Sequence, residues 1–247
     1  MIRLLAVLVL ALAGNAWSQL FTDTFNGRTL DSSKWNVLLP FAESVASLSS
    51  GAVFSKNRGG IITTSEFLSP YEISGTFMNN NARSVFIVTL RSDGSSDTDI
   101  YRGLRGLSVS FWADDAFPNN RIGISTSQGT GALWETNFAL PSGSPIFYRI
   151  FDYGSRISLE VNDTFITEFS TSYALGGKIG LSSRENASIN LWGSGDVSIM
   201  DFQVIPEPSS FSLLLAGGAV LMAGRRLRRD KVESLSGSGG KNRPRFV

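Results

Sequence analysis

The 247-residue chain contains neither cysteine nor histidine. Without cysteine no disulfide can staple the fold, so stability has to come from an ordinary hydrophobic core. The missing histidine constrains chemistry more tightly. It removes Ser-His-Asp and Cys-His nucleophilic systems, imidazole zinc sites and the usual general base near neutral pH. Carboxylates, lysine and tyrosine remain for catalysis, and hard oxygen ligands for metals. Basic surface is scarce as well. Residues 225–247 hold eight Lys or Arg against two acids, whereas residues 19–224 hold 13 against 19. The bulk of the chain is mildly acidic and offers no footprint for nucleic acid.

The two ends are built differently from the middle. Arg3 precedes an apolar run from Leu4 to Ala13, followed by Gly14-Asn15-Ala16-Trp17-Ser18. This is the pattern of a secretory signal peptide over residues 1–18, too short for an ordinary membrane span. The small residues place cleavage between Ser18 and Gln19, with a cut after Ala16 as the rival. A buried N-terminal helix is the alternative, although no polar residue is spaced to make it amphipathic.

At the other end stand Val204-Ile205-Pro206-Glu207-Pro208, a 14-residue uncharged run from Phe211 to Gly224, and then Arg225, Arg226, Arg228 and Arg229. A helix over 209–224 is a marginal membrane span, because 14 residues at about 1.5 Å each cover roughly 21 Å of a core about 30 Å thick. Snorkelling arginines narrow the gap. The arginine cluster favours the cytoplasmic side, which leaves Pro206-Glu207-Pro208 outside with the body, held extended by its prolines. This three-part block over 205–229 resembles the PEP-CTERM sorting signal of Gram-negative bacteria that make exopolysaccharide. The resemblance implies an exosortase-type membrane protease as partner, export through the inner membrane, and a tethered form that ends at the cell surface or outside the cell. One departure is the basic Ser/Gly-containing tail over 230–247, since such signals usually stop soon after the arginines. A plain C-terminal anchor without processing is the alternative.

Between Leu20 and Val204 the chain reads as short alternating runs separated by turn residues, which is an all-β pattern. The alternation predicts strands over Gly60 to Thr64, Tyr71 to Phe77, Ser84 to Arg91, Leu107 to Trp112, Arg121 to Ser127, Phe147 to Asp152, Arg156 to Val161, Thr164 to Phe169, Lys178 to Ser183 and Val197 to Val204. Asn162-Asp163 suits a two-residue hairpin, because both residue types tolerate positive φ. That many strands in one body, residues 19–204, predict a two-layer sandwich.

Two segments give the sandwich a family likeness. The opening Phe21-Thr22-Asp23-Thr24-Phe25-Asn26-Gly27-Arg28-Thr29-Leu30-Asp31-Ser32-Ser33-Lys34-Trp35 resembles the first strand and turn of concanavalin A-like lectin/glucanase jelly rolls. The closing Gly177-Lys178-Ile179-Gly180-Leu181-Ser182-Ser183 and Val197-Ser198-Ile199-Met200-Asp201-Phe202-Gln203-Val204 resemble the last strands of that fold. The resemblance implies an antiparallel two-sheet jelly roll. It also implies a structural calcium held by Asp23 and Asp201; the same two acids could instead cap strands or pair with arginine.

A glucanase of this fold, by the same resemblance, needs Glu-x-Asp-x-x-Glu on one strand, so that alternate carboxyls face one cleft. The sequence has no such motif. Asp97 and Asp99 lie in a loop-like stretch, Asp114 and Asp115 are adjacent and so oppositely directed in a strand, and Glu160, Asp163 and Glu168 are split across a hairpin turn. A divergent hydrolase or lyase therefore stays the alternative to a non-catalytic reading. For binding, aromatic rings stack on sugar faces, and a ring beside a carboxylate makes a glycan subsite. Trp112 with Asp114 and Asp115, and Trp134 with Glu135, have that composition. Each could equally be a core ring at a strand end followed by a solvated turn. Trp35 is assigned to the core. The expectation is an exported, non-catalytic surface or matrix protein that binds exopolysaccharide without an organic cofactor. A matrix protein without any ligand is a third possibility.

Overall fold

Alternating residues become strands wherever one face can be buried, and the computed structural model contains sixteen among the residues it describes. Those residues are 20–25, 30–38, 60–80, 85–95, 104–113, 120–126, 132–183 and 197–206, with the backbone of 45–47, 52–55 and 189–191. The expected signal peptide, the 209–224 helix and the basic tail lie outside them. The strands are β1 (Phe21–Asp23), β2 (Trp35–Leu38), β3 (Val45–Ser47), β4 (Ala52–Ser55), β5 (Gly60–Thr63), β6 (Tyr71–Asn79), β7 (Val85–Ser92) and β8 (Leu107–Trp112). They continue as β9 (Arg121–Thr126), β10 (Trp134–Asn137), β11 (Pro145–Asp152), β12 (Arg156–Val161), β13 (Thr164–Ser170), β14 (Lys178–Ser183), β15 (Ile189–Leu191) and β16 (Val197–Pro206). All ten expected strands are present, most shifted by a residue or two at one end.

Two sheets stack in a jelly-roll sandwich. The first runs β13-β12-β11-β6-β16-β15-β4-β3, with β1 also paired to β16; the second runs β10-β9-β8-β7-β14-β5-β2. Pairing is antiparallel throughout, apart from β15 alongside β16. The core lies between the sheets and is rich in rings. Phe77, Phe86, Phe111 and Tyr148 meet at centroid distances of 4.5 to 6.0 Å. A second group joins Phe21, Trp35 and Phe202, so Trp35 is a core residue as expected. Gly75, in the middle of β6, makes room for the first group: a Cβ there would come within 2.8 Å of the Tyr148 hydroxyl and 2.6 Å of the Asp201 carbonyl oxygen.

The meander β11-β12-β13 follows the sequence reading. Asn162 and Asp163 have φ of 48° and 58°, the left-handed pair that a tight hairpin requires. In β11 the inward set is Ile146, Tyr148, Ile150 and Asp152, and all four are buried. The last of these is a carboxylate on the core face, which requires a partner inside the protein.

That partner comes from the other sheet. Arg91, near the end of β7, has φ of 51°, and the β14–β7 register slips beside it, so its side chain leaves the strand's alternation. Its Nε and Nη2 donate to the two Asp152 oxygens, both at 2.7 Å. The Ser69 hydroxyl and the Gly154 amide also donate to Asp152, each at 2.8 Å. Burial pushes the Asp152 carboxyl up, but Arg91, Gly154 and Ser69 outweigh it and hold the group below its ordinary value. Burial acts downward on Arg91, and Asp152 more than offsets it. Tyr71, beside this pair, is raised well above the ordinary phenol range, first by burial and then by the Asp152 charge.

Candidate functional site

The best-assembled group of polar and aromatic side chains on an outer face lies at the β8-β9-β10 edge of the second sheet. Val109, Phe111, Ile122 and Ile124 face the core, so the alternate positions face outward. Trp112 ends β8 and stands opposite Arg121, which opens β9. On the other side of β9, Gly123 stands opposite Glu135 and Arg121 opposite Asn137. The outward row therefore gathers Trp112, Arg121 and Glu135 around Gly123. The Arg121 guanidinium lies 4.5 Å from the Trp112 ring centroid. Its Nη1 is 3.5 Å from Glu135 Oε2, with the two side chains 41% and 55% exposed.

These contacts do little for stability. An exposed cation–π contact contributes about 0.5–1 kcal/mol and a solvated ion pair about 0–1 kcal/mol. Their effect is to orient a ring, a planar donor and a carboxylate toward solvent. Gly123 is not required by packing, since a Cβ there would meet its nearest neighbours, the Trp134 carbonyl and Glu135 Cβ, at 3.7 and 3.9 Å. Gly123 itself is buried, and having no side chain it adds nothing to the row between the ring and the carboxylate. A hydroxyl-rich ligand would find a stacking face, N–H donors and a carboxylate acceptor within one row.

The sequence-derived candidates divide on this geometry. Trp112 and Glu135, expected in two separate pairs, belong to one row and are joined by Arg121, which the sequence reading did not single out. Trp134 turns the other way and packs against the core, so it is not a partner for Glu135 in binding. One-residue alternation separates them. Asp114, Asp115, Asp97 and Asp99 lie outside the described residues, as do Ser18, Gln19, Glu207, Pro208, Arg225, Arg226, Arg228 and Arg229. Pro206 closes β16, in register with Tyr71.

The strand register sets the two calcium candidates apart. Asp23 stands opposite Phe202, one position from Asp201, so the two acids belong to opposite faces of the sheet. The Asp23 oxygens are also engaged: one accepts the Phe25 amide and the other the Trp35 indole N–H, both at 2.8 Å. Asp23 is a cap and an anchor for a core ring, and the pair does not fit a shared ion. No cluster of three acids suited to a metal occurs among the described residues.

Glu160 lies on the outer face of the first sheet. There Arg149 bridges Glu72 at 3.1 Å and Glu160 at 2.9 Å, and its guanidinium stands 5.3 Å from the Phe147 ring. Glu168 pairs with Arg156 at 3.5 Å on the same face. Acids already ion-paired on an open strand face lack the enclosed setting in which a carboxyl becomes a proton donor.

No protein-family model matches the sequence, and no curated protein matches it. Solved structures do match in fold. The carbohydrate recognition domain of Emp47p is 13% identical, with 77% of this chain and 95% of that one covered at a TM-score of 0.52. A protein of unknown function with a galectin-like fold from Bacillus subtilis is 13% identical, covering 76% and 96% at 0.53. The exoplasmic/lumenal domain of VIP36 in its Ca2+/Man2-bound form is 12% identical, covering 76% and 87% at 0.52. At these identities the likeness establishes a lectin-like jelly roll.

Proposed function

We propose that the body is a non-catalytic carbohydrate-binding domain that takes polysaccharide on the Trp112, Arg121 and Glu135 row. The observation that carries this reading is the gathering of a ring, a guanidinium and a carboxylate around Gly123, with no packing reason for the missing side chain. The Emp47p domain is a carbohydrate recognition domain and VIP36 has been captured with Man2, which makes glycans the ligand class to test first. The sequence outside the body supplies the setting. A signal peptide over 1–18 exports the chain, and the 205–229 block tethers it to the membrane, where an exosortase-type protease reads Pro206-Glu207-Pro208. The domain then acts at the cell surface or in an extracellular matrix.

Binding to a glycan array and pull-down on insoluble polysaccharide test the reading. Trp112→Ala removes a central ring and is expected to weaken binding about tenfold or more. Glu135→Gln keeps the shape and is expected to cost several-fold, with the melting temperature of both variants within a few degrees of the parent. Polysaccharide cleavage by the parent protein, or binding untouched by Trp112→Ala, would sink it.

A further inference from the structure

We infer that the end of the sandwich from which both chain termini leave is a docking surface for a lipid bilayer, and that it turns the Trp112–Arg121 end of the β8-β10 edge away from the membrane. Strand register defines that end. Phe21 pairs with Val204, so Leu20 and Ile205 are neighbours, and Pro206 pairs with Tyr71. Tyr71 in turn pairs with Asp152, which accepts the Ser69 hydroxyl and binds Arg91 across the sandwich. Leu20, Leu68, Tyr153 and Ile205 therefore surround one end, and they are 56%, 86%, 38% and 38% exposed. Leu133, 50% exposed, precedes β10 at the same end of the second sheet. Of the large apolar side chains left exposed among the described residues, only Phe165 lies at the far end, next to the β12–β13 hairpin.

A soluble fold would scatter such side chains; here they collect where the chain exits. The exit also identifies the occupant. The uncharged run beginning at Phe211 starts five residues after Pro206, and five residues span at most about 18 Å. A bilayer receiving that run is thus within reach of this end, and leucine, isoleucine and tyrosine are side chains that partition into its interface. The far end carries Trp112 and Arg121: β8 starts beside the Arg91 end of β7, and at about 3.4 Å per residue the five steps from Leu107 put Trp112 roughly 17 Å away. The arrangement turns Trp112 and Arg121, the far end of the glycan row, outward.

The inference rests on the tethered form proposed above, and one experiment separates the two. The chain has no cysteine, so Leu68→Cys and Phe165→Cys each give a unique label site on an exposed side chain. The full chain carrying an environment-sensitive fluorophore is mixed with vesicles of phosphatidylethanolamine and phosphatidylglycerol that contain a shallow doxyl quencher. The expected result is quenching at position 68 at least threefold stronger than at position 165, with a blue shift at 68 alone. Protein that floats with the vesicles but leaves the two labels equally solvent-like would overturn the docking surface while keeping the tether; protein that does not float would overturn both. Shielding of the position 68 label without lipid, with a doubled mass in light scattering, would assign this end to a second copy and also overturn the inference.

Discussion

Arg91→Ala is the perturbation whose size follows most directly from the structure. It leaves the Asp152 carboxylate, which is 0% exposed, with only the Ser69 hydroxyl and the Gly154 amide. Removing one member of a buried ion pair costs roughly 3–5 kcal/mol, because the remaining charge stays desolvated without its counterion. A domain of this size melts about 2–4 °C lower per kcal/mol, so the midpoint should fall by about 6–20 °C. The double variant Arg91→Met with Asp152→Leu removes both charges and fills similar volume; such replacements are often neutral or better, so most of the loss should return. Urea unfolding followed by tryptophan fluorescence measures both variants. The pair also sets an acid limit. Because the folded Asp152 pKa is depressed, its contribution is present above the unfolded value, near 3.9, and is lost as pH falls through the lower folded value. Below about pH 4 the parent should therefore lose stability more steeply than the double variant. A single variant that loses less than about 1 kcal/mol, or a double variant as weak as the single one, would refute the claim that this pair clamps the two sheets.

Two further outcomes follow. Gly123→Ala should fold normally, since its Cβ would meet its nearest neighbours at 3.7 and 3.9 Å, yet the added methyl group between Trp112 and Glu135 should reduce glycan binding; unchanged binding in pull-downs would place the ligand elsewhere. For the sorting block, mass spectrometry of the exported protein should find a new C-terminus near Pro208, whereas intact Arg225 to Val247 in the mature form would exclude processing.

The strands that sequence alternation identified share one property: each puts apolar side chains on a core face every second residue over several residues, as in Phe86, Val88 and Leu90 of β7. The strands it passed over lack that signal. Trp134-Glu135-Thr136-Asn137 is mostly polar, and Ile189-Asn190-Leu191 is three residues long. These hold their place because a neighbouring strand already offers its backbone hydrogen bonds, β9 for β10 and both β16 and β4 for β15. The sequence did offer Trp112 and Glu135 as candidates, but it carried no sign of the buried Asp152 pair, an acid on a core-facing position. Its partner was not legible, because Arg91 reaches it only through a backbone kink.

The sequence by itself determined the all-β class, the Asn162-Asp163 hairpin, the exclusion of disulfide and histidine chemistry, and the different character of the two ends. Each of these depends on composition or on contacts between near neighbours in the chain. The tertiary structure decided which candidates meet. Pairing of β8 with β9 and of β9 with β10 put Trp112 beside Arg121 and Glu135, and the one-residue alternation of β10 turned Trp134 inward. The register of β1 on β16 set Asp23 and Asp201 on opposite faces and brought the two ends of the body side by side. Those outcomes depend on register between residues as far apart in the chain as Phe21 and Val204, where a shift of one position reverses every side chain, and no local pattern encodes that choice.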